Sequence, residues 1–232
     1  MSSIAPVVAG LLALPLGWLA CFLVERVPEY DRHVAARPWG LESTRPTKVV
    51  TVTGVLVVLF VATALRFERP ADLAVYLLFG FVMVVLSVID LDTLRLPDRL
   101  VLPFLAVSVP LLVAVSAGLH EPDRITAAFT GALVYFGFLF LVHLALGPRA
   151  LGFGDVKLAA VMGLYVGWVE AEPMRALALV MWAMFLGFIT GALIGVVLFV
   201  TRKRSRHYPF GPFLVFGSLA AILLSLGLLS RA

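Results

Sequence analysis

The sequence is short of most things a soluble enzyme relies on. It has one cysteine, Cys21, so it can form neither an intrachain disulfide nor a cysteine-built zinc site. Only 14% of its residues are charged, against roughly 25% in ordinary globular chains. No Lys or Arg precedes Arg26, so the first apolar run lacks the basic flank of a secretory signal peptide. There is no internal repeat and no phosphate-binding loop. The longest polar stretch, about 25–48, is too small to enclose a core of its own.

Apolar sequence is what the chain has in abundance. It is 62% hydrophobic, with a mean hydropathy of +1.06. A soluble domain of this length cannot hide that much apolar surface, so lipid is the solvent that fits. In lipid every backbone amide must be satisfied within the protein, which leaves helices or a closed barrel. Barrel strands alternate polar and apolar residues, whereas these runs are unbroken, so helices are expected. Eight spans follow, at about 5–24, 49–65, 72–89, 99–117, 125–146, 156–169, 175–200 and 212–229, the sixth short and glycine-bearing. They make an all-α polytopic membrane protein, one domain over 1–232, with 25–48 as its first cytoplasmic loop.

The formal charge of +4 sits in the loops, where the positive-inside rule accounts for it and no nucleic-acid partner is implied. Arg26, Arg32, Arg37, Arg45 and Lys48 crowd the first loop, and Arg202, Lys203, Arg204 and Arg206 crowd the last. By span parity, thirteen of the eighteen Lys and Arg fall on one side. That side is the cytoplasm, and both termini are external.

Ionisable residues at membrane depth are costly and point to function, and two carboxylate segments qualify. Asp90 and Asp92, followed by Pro97 and Asp98, close the third span. Gly152, Gly154, Asp155 and Lys157 open the sixth. Parity puts both on the cytoplasmic face. Paired carboxylates that share one proton can hydrolyse a peptide bond: the ionised one takes a proton from water and the protonated one polarises the scissile carbonyl. Glycines before Asp155 allow a sharp turn and close approach of a substrate strand, and Pro97 ends local helix. Read singly, each has a plainer role: Asp92 and Asp98 as solvated charges, Asp155 as a helix cap, Lys157 as a topology anchor.

These segments resemble the motifs of the prepilin (type IV leader) peptidases, membrane-embedded aspartyl peptidases. Ile89-Asp90 through Leu96-Pro97-Asp98 is similar to their first aspartate motif. Gly152 to Leu158, with Gly163 and Gly167 beyond, resembles their Gly-x-Gly-Asp-x-Lys motif. Pro209-Phe210-Gly211-Pro212 resembles the signature before their last helix. The resemblance implies Asp90 and Asp155 as the catalytic pair. Asp92, Pro97, Asp98, Gly152, Gly154, Lys157, Pro209, Gly211 and Pro212 are then supporting residues. It implies cleavage of the basic leader of a pilin-like precursor, for a type IV pilus or protein secretion, at the bacterial cytoplasmic membrane. No metal or cofactor is expected for the peptidase. Many members also methylate the new amino terminus with S-adenosylmethionine and carry two Cys-x-x-Cys pairs in the first loop. This chain has none, and Cys21 stands where the family's amino-terminal motif has asparagine before Arg26-Val27-Pro28. Peptidase chemistry is thus better supported than methylation, and S-adenosylmethionine is needed only if the methyltransferase is retained.

The rival reading is a small ion- or proton-coupled transporter using the same aspartates; transport sites lie near the midplane, whereas these lie at one face. A third has Asp90, Asp92, Asp98 and Asp155 holding Mg²⁺. For the basic leader, Glu25, Glu29 and Asp31 in the first loop are the expected partners.

Overall fold

Apolar runs whose backbone has no partner in lipid fold as helices. The computed structural model describes residues 4–29, 46–147, 151–200 and 209–229, and these form eight helices. They are α1 (Ala5–Glu29), α2 (Pro46–Arg66), α3 (Pro70–Thr93), α4 (Asp98–Leu119), α5 (Asp123–Leu146), α6 (Phe153–Trp168), α7 (Pro173–Val200) and α8 (Gly211–Leu229). Each expected span has its helix. Six of them, α1 to α5 and α7, are long and apolar enough to cross a membrane. The protein is an all-α polytopic membrane protein.

Helix enters the stretch expected as a loop, 25–48, from both ends. Helix α1 continues through Glu25 and Arg26 to Glu29, and α2 opens at Pro46. Long charged side chains can reach the headgroup region while their backbone stays helical, so a helix outlasts its apolar run. Asp31 lies outside the described residues.

The chain packs as two compact units, Met1–Thr93 and Leu94–Ala232. In the first, α1, α2 and α3 pack on one another. Small residues set the spacing: a Cβ on Gly17 would lie 2.7 Å from Thr53 Cβ, and one on Gly80 would lie 2.9 Å from Leu59 Cδ2. Cys21 is fully buried in α1, as a packing residue would be.

The second unit is organised around α6, which packs on α4, α5, α7 and α8. A helix apolar on every side belongs inside, and Val156, Leu158, Ala159, Val161, Met162 and Tyr165 are all fully buried. Its 16 residues span roughly 24 Å at 1.5 Å per residue. That is shorter than a bilayer core of about 30 Å, and a helix sheathed by others need not match lipid. On α5, a Cβ on Gly131 would lie 3.0 Å from Gly167 Cα; on α6, one on Gly163 would lie 2.8 Å from Ala132 Cα. This is small-residue packing of membrane helices, with backbones in near contact.

Polar residues tie the same helices. Tyr165 Oη and Ser108 Oγ share a hydrogen bond of 2.9 Å between α6 and α4. Arg124 is buried. It donates from Nε to the Trp168 carbonyl at 2.9 Å and lies 3.6 Å over the indole, whose Nε1 donates to Ser116 Oγ at 2.8 Å. Glu172 caps α7: its carboxylate accepts the amides of Met174 at 3.0 Å and Arg175 at 2.7 Å. Those two bonds, Met174 first, hold its carboxyl below the usual glutamate range.

Candidate active site

In the first unit, Asp90 sits in the last turn of α3 and is buried, with Ile89 beside it. Two residues on, Asp92 is exposed and forms an ion pair with Lys48 of α2. So Asp92 is not simply solvated, and Lys48, expected as a basic residue of the loop, is a helical partner for it. An open cavity of about 570 Å³ lies at this end of the unit, lined by Glu25, Thr47, Lys48, Thr51, Val88 and Asp92 among others. It brings together Glu25, a candidate for the leader, and Asp92, a candidate supporting residue, from helices far apart in sequence. Glu29 is the last residue of α1.

The second unit begins with strain. Leu94, just past α3, has φ 54. A left-handed residue after a helix is ordinarily glycine, and a side chain there costs about 1–2 kcal/mol. Pro97 follows, buried and extended (φ −72, ψ 124), as the residue before α4. It ends local helix as expected, and Asp98 becomes the first residue of α4.

Asp98 then meets the second motif. Lys157 Nζ donates to both of its carboxylate oxygens at 2.7 Å and lies 5.1 Å over the Phe153 ring. Lys157 is therefore a tether between α4 and α6 as well as a basic residue at a helix entrance.

Helix α6 opens after Gly152, which is in ordinary extended conformation (φ −66, ψ 144) and offers no side-chain cap. Asp155, half-buried, is the third helical residue, its amide bonded to the Gly152 carbonyl at 3.2 Å. The expected sharp turn is corrected here. Among the described residues the glycine with positive φ is Gly147, outside the motif. Gly152 and Gly154 matter through size. A Cβ on Gly152 would lie 3.3 Å from Asp155 Oδ2, and one on Gly154 would lie 3.0 Å from Leu96 Cβ. Glycine at 152 leaves room beside the Asp155 carboxylate, and glycine at 154 lets the α6 start lie against the segment leading into α4.

Other residues of this corner were not legible beforehand. His143, in the last turn of α5, places Nδ1 2.8 Å from the Leu151 carbonyl, which fixes Nδ1 as the protonated, donating nitrogen. Its ring also rests on Phe153 at 5.5 Å. Tyr135 of α5 is fully buried, its hydroxyl near Ser218 of α8 but without good hydrogen-bond geometry. One tyrosine in an apolar run carries no sequence signal that would single it out.

The third motif builds a helix start. Pro209 and Phe210 lead into α8, which opens at Gly211 with Pro212 in its first turn, where proline is tolerated. The Phe210 carbonyl accepts the Phe213 amide at 3.1 Å. Phe210 also packs on Phe188 of α7 at 5.2 Å and fills the space beside Gly191, where a Cβ would lie 2.8 Å from its ring. The signature residues thus seat α8 on α7. Among the described residues, no three His, Cys, Asp or Glu side chains are grouped to hold a metal ion.

This is a polytopic helical membrane protein with an aspartate in the last turn of one helix and a Gly-x-Gly-Asp segment at the head of a buried one. The family model described as the type IV leader peptidase family matches residues 76–200, more than half of the sequence. The chain belongs to that family. It is 32% identical over 167 residues to a prepilin leader peptidase/N-methyltransferase of Aeromonas hydrophila, covering 71% of this chain and 54% of that protein. It is 34% identical over 149 residues to the one of Aeromonas salmonicida, covering 63% and 48%. Over 168 residues it is 32% identical to the one of Pseudomonas aeruginosa, covering 71% and 53%. The chain spans about half the length of the curated relatives it matches. No solved structure matches it.

Proposed function

We propose that this chain is a membrane aspartyl endopeptidase that removes the basic leader from prepilin-like precursors at the cytoplasmic face of the bacterial inner membrane. Asp90 and Asp155 are its paired carboxylates. One observation carries the reading: the family match over 76–200 contains both aspartates, together with Asp92, Pro97, Asp98, Gly152, Gly154 and Lys157. The ionised carboxylate takes a proton from water, whose oxygen attacks the scissile carbonyl. The protonated carboxylate hydrogen-bonds that carbonyl as it gains charge. Collapse of the tetrahedral intermediate breaks the C–N bond, and the departing amine takes a proton from the pair.

The bias of basic loop residues supports eight crossings with both termini outside, α6 and α8 completing the set. The relatives' names also include N-methyltransferase. With one cysteine the chain cannot build the paired-cysteine zinc site of methylating members, and the proposal extends to cleavage alone.

The test is reconstitution of the purified chain with a precursor carrying a basic leader, a glycine and an apolar helix. A shortened product with its new amino terminus just after the glycine supports the proposal. An uncut precursor rejects it. Mass spectrometry of the product made with S-adenosylmethionine present decides whether the new amino terminus is also methylated.

A further inference from the structure

The turn that carries Asp155 is poorly held by its own sequence. Helix starts leave their first amides without helical partners and tend to fray. Here the residue before the helix is Gly152, with no side-chain cap, and Gly154 within the first turn is a weak helix former. Yet a catalytic carboxylate must be kept within about 0.5 Å of its working position. Order has to come from outside the turn.

Resting on the assignment of Asp155 as catalytic, we propose that the Asp98–Lys157 ion pair is a positioning brace for Asp155. Three features support it. The pair is two-pronged, with Lys157 Nζ at 2.7 Å from both oxygens of Asp98, so it fixes direction as well as distance. Asp98 is a firm post, the first residue of α4 directly after buried Pro97. And Lys157 is two residues beyond Asp155. At about 100° per residue the two side chains leave the helix on nearly opposite sides, so the brace holds the turn without occupying the carboxylate. The contact of Gly154 with Leu96 and the bond from His143 to the Leu151 carbonyl pin the same segment.

The pair is partly exposed, with side-chain exposures of 56% for Asp98 and 22% for Lys157. Ion pairs of that kind contribute little to global stability. A brace therefore predicts a loss in rate with little loss in melting temperature. A mere topology anchor at position 157 predicts no dependence on Asp98 at all.

The experiment uses the full chain in detergent or vesicles with the precursor above. Asp98→Asn and Lys157→Met are each expected to lower kcat by about 10- to 100-fold through misplacement of the reacting group, with KM within about twofold. Both should speed hydrogen exchange in the peptide covering 151–158. Lys157→Arg, which keeps the cation and can donate two N–H groups to the Asp98 carboxylate, should retain most of kcat and the slow exchange. The swap Asp98→Lys with Lys157→Asp should recover both readouts to within about threefold of wild type, the mark of a coupled pair. Unchanged kcat and exchange in both single variants overturn the brace. So does a Lys157→Arg variant as damaged as Lys157→Met. If the wild-type chain leaves the precursor uncut, the peptidase assignment falls, and the exchange measurements alone decide whether the pair orders the turn.

Discussion

Gly163 is where one added methyl group should disturb packing and catalysis together. A Cβ there would lie 2.8 Å from the Cα of Ala132, a backbone atom that no rotamer change can move. Carbon atoms in favourable contact stand about 3.5–4.0 Å apart, so α5 and α6 must part by roughly 1 Å. Forcing extra volume into a packed interior costs about 1–3 kcal/mol. Asp155 is eight residues upstream on α6, about 12 Å along the helix axis. A rigid shift of α6 carries it along, and misplacement by about 1 Å can cost on the order of 100-fold in rate. Gly163→Ala is therefore expected to lower the melting temperature and to cut kcat by about 10- to 100-fold, and Gly163→Val to do worse. Gly54→Ala and Gly137→Ala are the controls. A Cβ at either position meets nothing within 4 Å, so each should be neutral or stabilising by up to about 1 kcal/mol. The assay is thermal unfolding in detergent alongside kcat on the precursor. Gly163→Ala with wild-type melting and wild-type kcat would refute the reasoning, as would Gly137→Ala proving equally damaging.

Asp90→Asn and Asp155→Asn should each abolish cleavage without preventing insertion, and the double variant should be no worse than either single, because the pair acts as a unit. A gel shift on the precursor decides this, and near-wild-type cleavage by either single variant removes that residue from the pair. Activity should persist in EDTA if carboxylates activate the water; loss in chelator with recovery on adding Mg²⁺ or Zn²⁺ would favour a metal. Glu172 has its carboxyl held below the usual range by the Met174 and Arg175 amides, so its stabilisation of α7 is present above its unfolded value of about 4.3 and is lost as pH falls through the folded value. The gap in melting temperature between wild type and Glu172→Gln should thus shrink in acid, and a gap independent of pH would contradict the cap. Replacing Glu25, Glu29 and Asp31 by Gln, Gln and Asn should raise KM for a lysine-rich leader with little change in kcat, an effect that fades with added salt. A KM left at its wild-type value for both lysine-rich and lysine-poor leaders would end the steering idea.

The solvent, the helices and the candidate aspartates are legible in the order of residues alone. Long apolar runs can meet lipid only as helices, so their number follows from counting, and Asp90 and Asp155 stand out because ionisable residues at membrane depth are costly. Boundaries were legible to within a few residues; they failed most at α1, where Glu25 to Glu29 stay helical beyond the apolar run. Tertiary structure decided everything that depends on residues distant in sequence. Lys48 and Asp92 are 44 positions apart, and Asp98 and Lys157 are 59, yet each pair is an ion pair. No periodicity reports such a meeting. It also decided what the glycines do: Gly152 and Gly154 leave room beside a carboxylate and a leucine, and Gly163 and Gly167 let α6 lie against the α5 backbone. A sequence shows that a side chain is missing, and only the packed helices show what takes up the space.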